Sequence, residues 1–156
     1  MHILLVCTGN TCRSPMAEDI LRRVLEARGG SEITISSAGT GAWDGAPVSE
    51  GAYLIGIEQG LDLSGHRAQL LNRQMVESAD LILTMARHHR ARVEELGGGD
   101  KVHLLGEYAG RTGAAAEVSD PFGGDLEGYR ATFEELNTLI ESVLVRLGTE
   151  RPRDQR

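Results

Sequence analysis

Apolar residues along the chain fall into two alternating kinds of run. Ile3–Cys7, Glu32–Ser36, Asp80–Thr84 and Lys101–Leu105 are short and bounded by turn or charged residues, as buried strands are. Between them, apolar positions step at helical spacing. Met16, Ile20, Val24 and Ala27 form one stripe, which Leu21 and Leu25 widen. Arg87–Leu96 predicts a short helix stopped by Gly97-Gly98-Gly99. Near the C-terminus, Tyr129, Phe133, Leu136, Ile140, Val143 and Leu147 define one apolar helix face. Pro47–Gly60 is a weaker helical pattern through Ala52, Ile55 and Gln59, interrupted by Gly51 and Gly56. Gly106–Ser119 reads as a long irregular functional loop, and Arg151–Arg156 as a polar, frayed tail.

Strands alternating with helices predict an α/β fold in three α/β/α layers, with a four-stranded parallel sheet between the helices. Ligands of such sheets bind beyond the carboxyl ends of the strands. A single domain over residues 1–150 and a tail over 151–156 are expected.

Composition narrows the function without naming it. The 156 residues are 40% hydrophobic and 25% charged, an ordinary globular balance. A net charge of −7 argues against a nucleic-acid binder. No apolar run approaches the ~20 residues of a membrane span, and the first residues lack a signal-peptide pattern. A cytosolic monomer is the expectation. Both cysteines, Cys7 and Cys12, lie in one short loop, a placement that suits reactivity better than a structural bridge.

That loop, Cys7-Thr8-Gly9-Asn10-Thr11-Cys12-Arg13-Ser14-Pro15, directly follows the first strand and opens the first helix. Gly9 and Asn10 tolerate left-handed backbone angles, so successive amides can curl around an anion. Ser14 is read as the helix N-cap and Pro15 as its first residue. The helix N-terminus and the planar Arg13 fork add positive charge on the same side. The result is a cradle for a phosphate or similar oxyanion. Cys7 sits at its mouth, where the same groups favour a thiolate and Ser14 can donate to the sulfur. A proton donor is also needed, and Asp120 in Asp120-Pro121-Phe122-Gly123-Gly124 fits, stiffened by the following proline. His88-His89-Arg90 is read as a solvated patch, since adjacent helical residues point about 100° apart. Arg87, Arg90 and Arg92 are read as part of the same solvated face. No metal or other cofactor is expected.

Residues 6–18, from Val6 to Glu18, resemble the signature of the low-molecular-weight protein tyrosine phosphatases. Asp120-Pro121-Phe122-Gly123, Ser36–Thr40 and Ser64–Ala68 are similar to further segments of that family, and the match extends to about residue 147. The resemblance implies a cysteinyl-phosphate formed on Cys7, phosphate bound by Arg13, and Asp120 as acid and then base. It also implies Thr8, Gly9, Asn10, Thr11, Cys12 and Ser14 as the phosphate loop, with Ser37 and His66 supporting it. Trp43 and Phe122 would wall the substrate pocket. Cys12 would be able to form a reversible disulfide with Cys7, or else be a small packed residue.

Thr11 bears on the substrate. Tyrosine phosphatases of this family usually carry a bulkier aliphatic residue there. A bacterial branch that resembles this chain carries Thr and hydrolyses phosphoarginine. Thr is smaller and adds a hydroxyl able to orient a guanidinium or a water. Gly39–Trp43 reads more like the bacterial tyrosine-phosphatase form, so phosphotyrosine stands as the alternative. Phosphorylated proteins are the expected partners in either case. Thiol-coupled arsenate reduction would need cysteines after Cys12, and none follows. A non-catalytic phosphate-binding module would be expected to lack Cys7 or Asp120.

Overall fold

The computed structural model describes residues 1–29 and 32–150. The tail expected over 151–156 lies outside the described residues. Four parallel strands, β1 (His2–Cys7), β2 (Thr34–Gly39), β3 (Leu81–Thr84) and β4 (Val102–Leu104), form one sheet in the order β2-β1-β3-β4. The helices are α1 (Arg13–Ala27), α2 (Glu50–Glu58), α3 (Arg73–Ser78), α4 (Arg87–Glu95), α5 (Leu105–Tyr108) and α6 (Leu126–Glu150), with a 3-10 turn at Gly113–Ala116.

Alternation along β1 explains the three layers. Ile3, Leu5 and Cys7 join a core with Met16, Ile20 and Leu21 of α1 and Phe133, Leu136 and Ile140 of α6. Leu4 and Val6 point to the other face, against Val76 of α3 and Val93 of α4. The stripe seen on α6 is buried as its spacing requires, and Leu139 and Leu144 broaden it. At ~25 cal/mol per Å² of apolar surface removed from water, this two-sided burial is the main stabilising term.

Element ends have local causes. Ser49 caps α2 by accepting from the Ala52 amide, and Asn72 caps α3 through the Met75 amide. Gly97, at φ 96°, takes the left-handed position that ends α4.

Several expectations are corrected. β2 begins two residues later than the apolar run and continues to Gly39, because pairing with β1 carries it residue by residue from His2–Thr34 to Cys7–Gly39. Its Ser36-Ser37 step hid the last residues of the strand from hydrophobicity. Leu105 leaves β4 to start α5, so Gly106–Ser119 is partly helical rather than wholly irregular. The six-residue α3 was not anticipated, being too short to show a period. Ser14 is not the N-cap, and Pro15 is not the first residue of α1. The helix starts at Arg13 with Cys12 as N-cap, two residues earlier, and Ser14 turns inward instead.

Candidate active site

β1 delivers Cys7 to the carboxyl end of the sheet, and the chain then curls back on itself. Asn10 makes the curl at φ 56°, the one described non-glycine residue with positive φ. Its side chain is wholly buried and fully engaged. The Gln69 amide donates to Asn10 Oδ1 at 2.9 Å, which leaves Nδ2 to donate to Ser14 Oγ at 2.8 Å and Ser37 Oγ at 2.9 Å. Ser37 in turn donates to Glu18, and Gln69 Nε2 donates to the Ser37 carbonyl. His66 Nε2 donates to the Asn10 carbonyl at 2.8 Å. Ser49 holds the next turn, its amide donating to the Thr11 carbonyl at 2.9 Å. Buried polar groups this completely paired leave the loop one conformation.

The loop also meets β2 without slack. A Cβ on Gly39 would lie 2.4 Å from the Thr8 carbonyl oxygen. The amides of Thr40 and Gly41 donate to the carbonyls of Cys7 and Thr8.

Ser14 Oγ lies 2.9 Å from Cys7 Sγ. A thiolate can only accept, so with Cys7 ionised Ser14 is the donor, its own oxygen already bonded by Asn10. Arg13 is buried, with one nitrogen donating to the Val118 carbonyl at 3.0 Å and another 3.6 Å from Asp120. Its Nε is buried with no partner among the described residues. A buried guanidinium N–H costs free energy until an acceptor meets it. An oxyanion in the loop is the group that would meet it.

Cys7, Arg13, Asp120, Thr11, Trp43 and Phe122 all line one cavity of about 330 Å³. Its buried floor includes Cys7 and Arg13. Its rim is aromatic and open, with Trp43 83% and Phe122 70% exposed. Asp120, 52% exposed, stands at the edge, its Oδ1 accepting from the Phe122 amide at 3.1 Å. Thus the structure brings together all the candidate residues. Cys7, Thr8, Gly9, Thr11, Cys12, Arg13, and across from them Trp43, Asp120 and Phe122, face the cavity. Asn10, Ser14, Ser37 and His66 lie behind the loop.

The sequence matches the family of low molecular weight phosphotyrosine protein phosphatases over residues 2–153. The chain belongs to that family. A protein-arginine-phosphatase of Bacillus subtilis (strain 168) is 37% identical over 153 residues, covering 97% of this chain and 99% of that protein. The low molecular weight protein-tyrosine-phosphatase PtpB of Staphylococcus haemolyticus (strain JCSC1435) is 39% identical over 141 residues, covering 90% of this chain and 95% of that protein. A solved arginine phosphatase, a cysteine-to-serine mutant with a phosphorylated active-site serine, superposes with TM-score 0.86 at 36% identity, covering 97% and 98% of the two chains. The four-stranded parallel sheet with helices on both faces is thus the low molecular weight phosphatase fold.

Three residues of α4 behave unlike their sequence reading. His89 is not part of a solvated patch. It is fully buried, its Nδ1 accepting from the Ala86 amide at 3.0 Å and its Nε2 2.8 Å from Thr8 Oγ1. Burial, then the neighbouring His88 and Arg13, push its pKa down to about 3. The adjacent-histidine pattern carries no hint of this, because the turn that buries His89 is set by how α4 docks on the sheet. Arg87 and Arg90 do not face solvent freely either, but pair with Glu117 and Glu107. Burial also pushes the Cys12 thiol up to about 12, with the Cys7 charge adding to the effect. Both cysteines are free and buried.

Glu18, Gln69 and Ser49 support the loop and were not singled out from sequence. Glu18 closes the matched signature, but nothing in its spacing shows that it accepts a hydrogen bond from Ser37. No three described residues cluster as metal ligands, and no described helix is long and apolar enough to cross a membrane.

Proposed function

We propose that the chain is a cysteine-dependent protein phosphatase, formed by residues 1–150 as one catalytic domain and favouring phosphoarginine. The observation carrying it is the convergence of Cys7, Arg13 and Asp120 on one cavity whose buried guanidinium retains an unused donor. Cys7 attacks phosphorus in line, giving a cysteinyl-phosphate and expelling the substrate's nitrogen or oxygen. The curled amides and Arg13 stabilise the equatorial oxygens through the transition state. Ser14 steadies the sulfur as attacker and then as leaving group. Asp120 protonates the departing atom, then takes a proton from the water that hydrolyses the intermediate. Asn10, Ser37 and His66 keep the loop in register for both steps.

Thr11 supports phosphoarginine, since its small polar side chain faces the cavity beside the nucleophile. The exposed rings of Trp43 and Phe122 favour the second reading, phosphotyrosine, by offering stacking walls to an aromatic leaving group. Among relatives, the protein of Bacillus subtilis is named for arginine and that of Staphylococcus haemolyticus for tyrosine. The reading places the enzyme in a reducing compartment such as the cytosol, where Cys7 stays reduced.

The test is phosphate release from matched phosphoarginine and phosphotyrosine peptides, with Cys7→Ser as control. Preference for phosphoarginine that Thr11→Ile reverses or levels is expected. Phosphotyrosine preference unchanged by Thr11→Ile would leave the decision to the aromatic walls. Absence of Cys7-dependent release from both peptides would sink the phosphatase reading.

A further inference from the structure

His89 is a buried titratable group that the reaction described above does not use, yet it touches the residue next to the nucleophile. Its protonation can be read from its partners. A backbone N–H can only donate, so the Ala86 amide fixes Nδ1 as an unprotonated acceptor. The single ring proton is then on Nε2, and Thr8 Oγ1 must accept it. Burial keeps the ring neutral throughout the working range of pH. The Thr8 hydroxyl hydrogen is therefore left for something else, and no described residue takes it. Thr8 is exposed to the cavity that holds Cys7 and Arg13. Gly41 lies on the side of its methyl group, where a Cβ would come 3.9 Å from Thr8 Cγ2. The hydroxyl is thus held on the α4 side, toward the polar hollow of about 430 Å³ that also includes Arg13 and Asp120.

We propose that His89 fixes the Thr8 hydroxyl as a side-chain donor to a phosphoryl oxygen bound in the loop, Thr8 touching the substrate and His89 acting as its positioning residue. This rests on the reading of the cavity as a phosphoryl site. The two hydrogen bonds of His89 do different work. The bond from Ala86 caps α4 and is structural. The bond to Thr8 sets which way a hydroxyl beside the nucleophile can donate.

Replacements separate the two. His89→Gln can accept from Ala86 through one amide atom and donate to Thr8 through the other. His89→Glu keeps an acceptor for Ala86 but presents an acceptor to Thr8 as well, turning the hydroxyl away from the phosphoryl group. Thr8→Val removes the hydroxyl from an exposed position and leaves the buried His89 Nε2–H without its partner. Two readouts are measured on each protein: kcat/KM on both phosphopeptides, and competitive inhibition by inorganic phosphate.

Thr8→Val and His89→Glu are each expected to lose about tenfold on both peptides and to weaken phosphate inhibition by a similar factor, the worth of one hydrogen bond. The double variant is expected to be no worse than either single one, because both remove the same donor. Thr8→Ser and His89→Gln should recover most of the loss. Unchanged phosphate inhibition in Thr8→Val overturns the proposal even if His89→Glu fails to fold. A loss confined to phosphoarginine would move Thr8 from the phosphoryl group to the leaving group and overturn it likewise. If the unaltered protein neither turns over a peptide nor binds phosphate, the reading of the cavity itself fails instead.

Discussion

The two sides of the cavity are built on opposite principles. The Cys7 side, residues 7–14, is mostly buried and tied to the rest of the fold, with Asn10 alone joined to Ser14, Ser37, Gln69 and His66. The Asp120 side, residues 119–124, is exposed except at Pro121 and is held by short local bonds, the Phe122 amide to Asp120 and the Gly124 amide to Pro121, and by the Arg13–Asp120 pair. Gly123 sits at φ 81° between them. The difference follows the chemistry. An oxyanion hole works by being organised before charge develops, so rigidity lowers the barrier. A group that must serve first as acid and then as base, while a substrate side chain enters and leaves past it, gains from an open setting. Rigidity on one side is also what lets a mutation there be felt as instability, whereas on the other it should be felt in turnover alone.

The largest effect that would test this contrast is chemical. Asp120→Asn should lower kcat by about 10² to 10⁴ with little change in thermal midpoint, since the side chain carries no packing. A substantial loss of stability would mean that the 119–124 loop is more integral than its exposure suggests. Asn10→Ala should do the reverse in kind. It removes three side-chain hydrogen bonds and a residue tolerant of φ 56°, and should cost about 2–4 kcal/mol in denaturant unfolding alongside a loss of activity.

A smaller effect concerns pH. The folded pKa of His89, about 3, lies below the ordinary 6.5. Across this interval the unfolded chain binds a proton that the folded protein refuses. The contribution of His89 to stability is therefore complete above about pH 6.5 and declines as pH falls toward 3, by at most about 1.4 kcal/mol per pH unit. His89→Gln should flatten that acid limb in urea titrations at stepped pH. An unchanged slope would show that His89 is not the group refusing the proton. The smallest expected effect is at the rim, where Phe122→Ala should raise KM a few-fold and shift stability by under ~0.5 kcal/mol.

Much of this was legible in the chain. The stripe Tyr129–Leu147 shows α6 because a helix buries one face against a sheet, and burial writes its period into the residue types. The string from Cys7 to Pro15 shows its chemistry because anion binding by a curled loop demands special residues close together in sequence. β2 was displaced and α3 missed because neither depends on its own periodicity: β2 is held by pairing with β1, and α3 by the Asn72 cap and Val76. Ser14 was placed correctly in the loop but wrongly as a cap, since Ser-Pro before an apolar run has the same appearance whether the hydroxyl faces a helix end or a thiol.

From sequence alone came the four strands, the longer helices, and Cys7, Arg13 and Asp120 as the candidates for nucleophile, phosphate ligand and acid. These are encoded locally, by spacing or by a rare combination of side chains. Only the tertiary structure decided what stands behind them: that Glu18 accepts the Ser37 hydrogen bond, that Gln69 orients Asn10, and that His89 faces Thr8 rather than water. Those contacts join residues 19, 59 and 81 positions apart. No local pattern can specify them, because a hydrogen bond's worth depends on which groups packing has deprived of water, and that is settled only when the layers close.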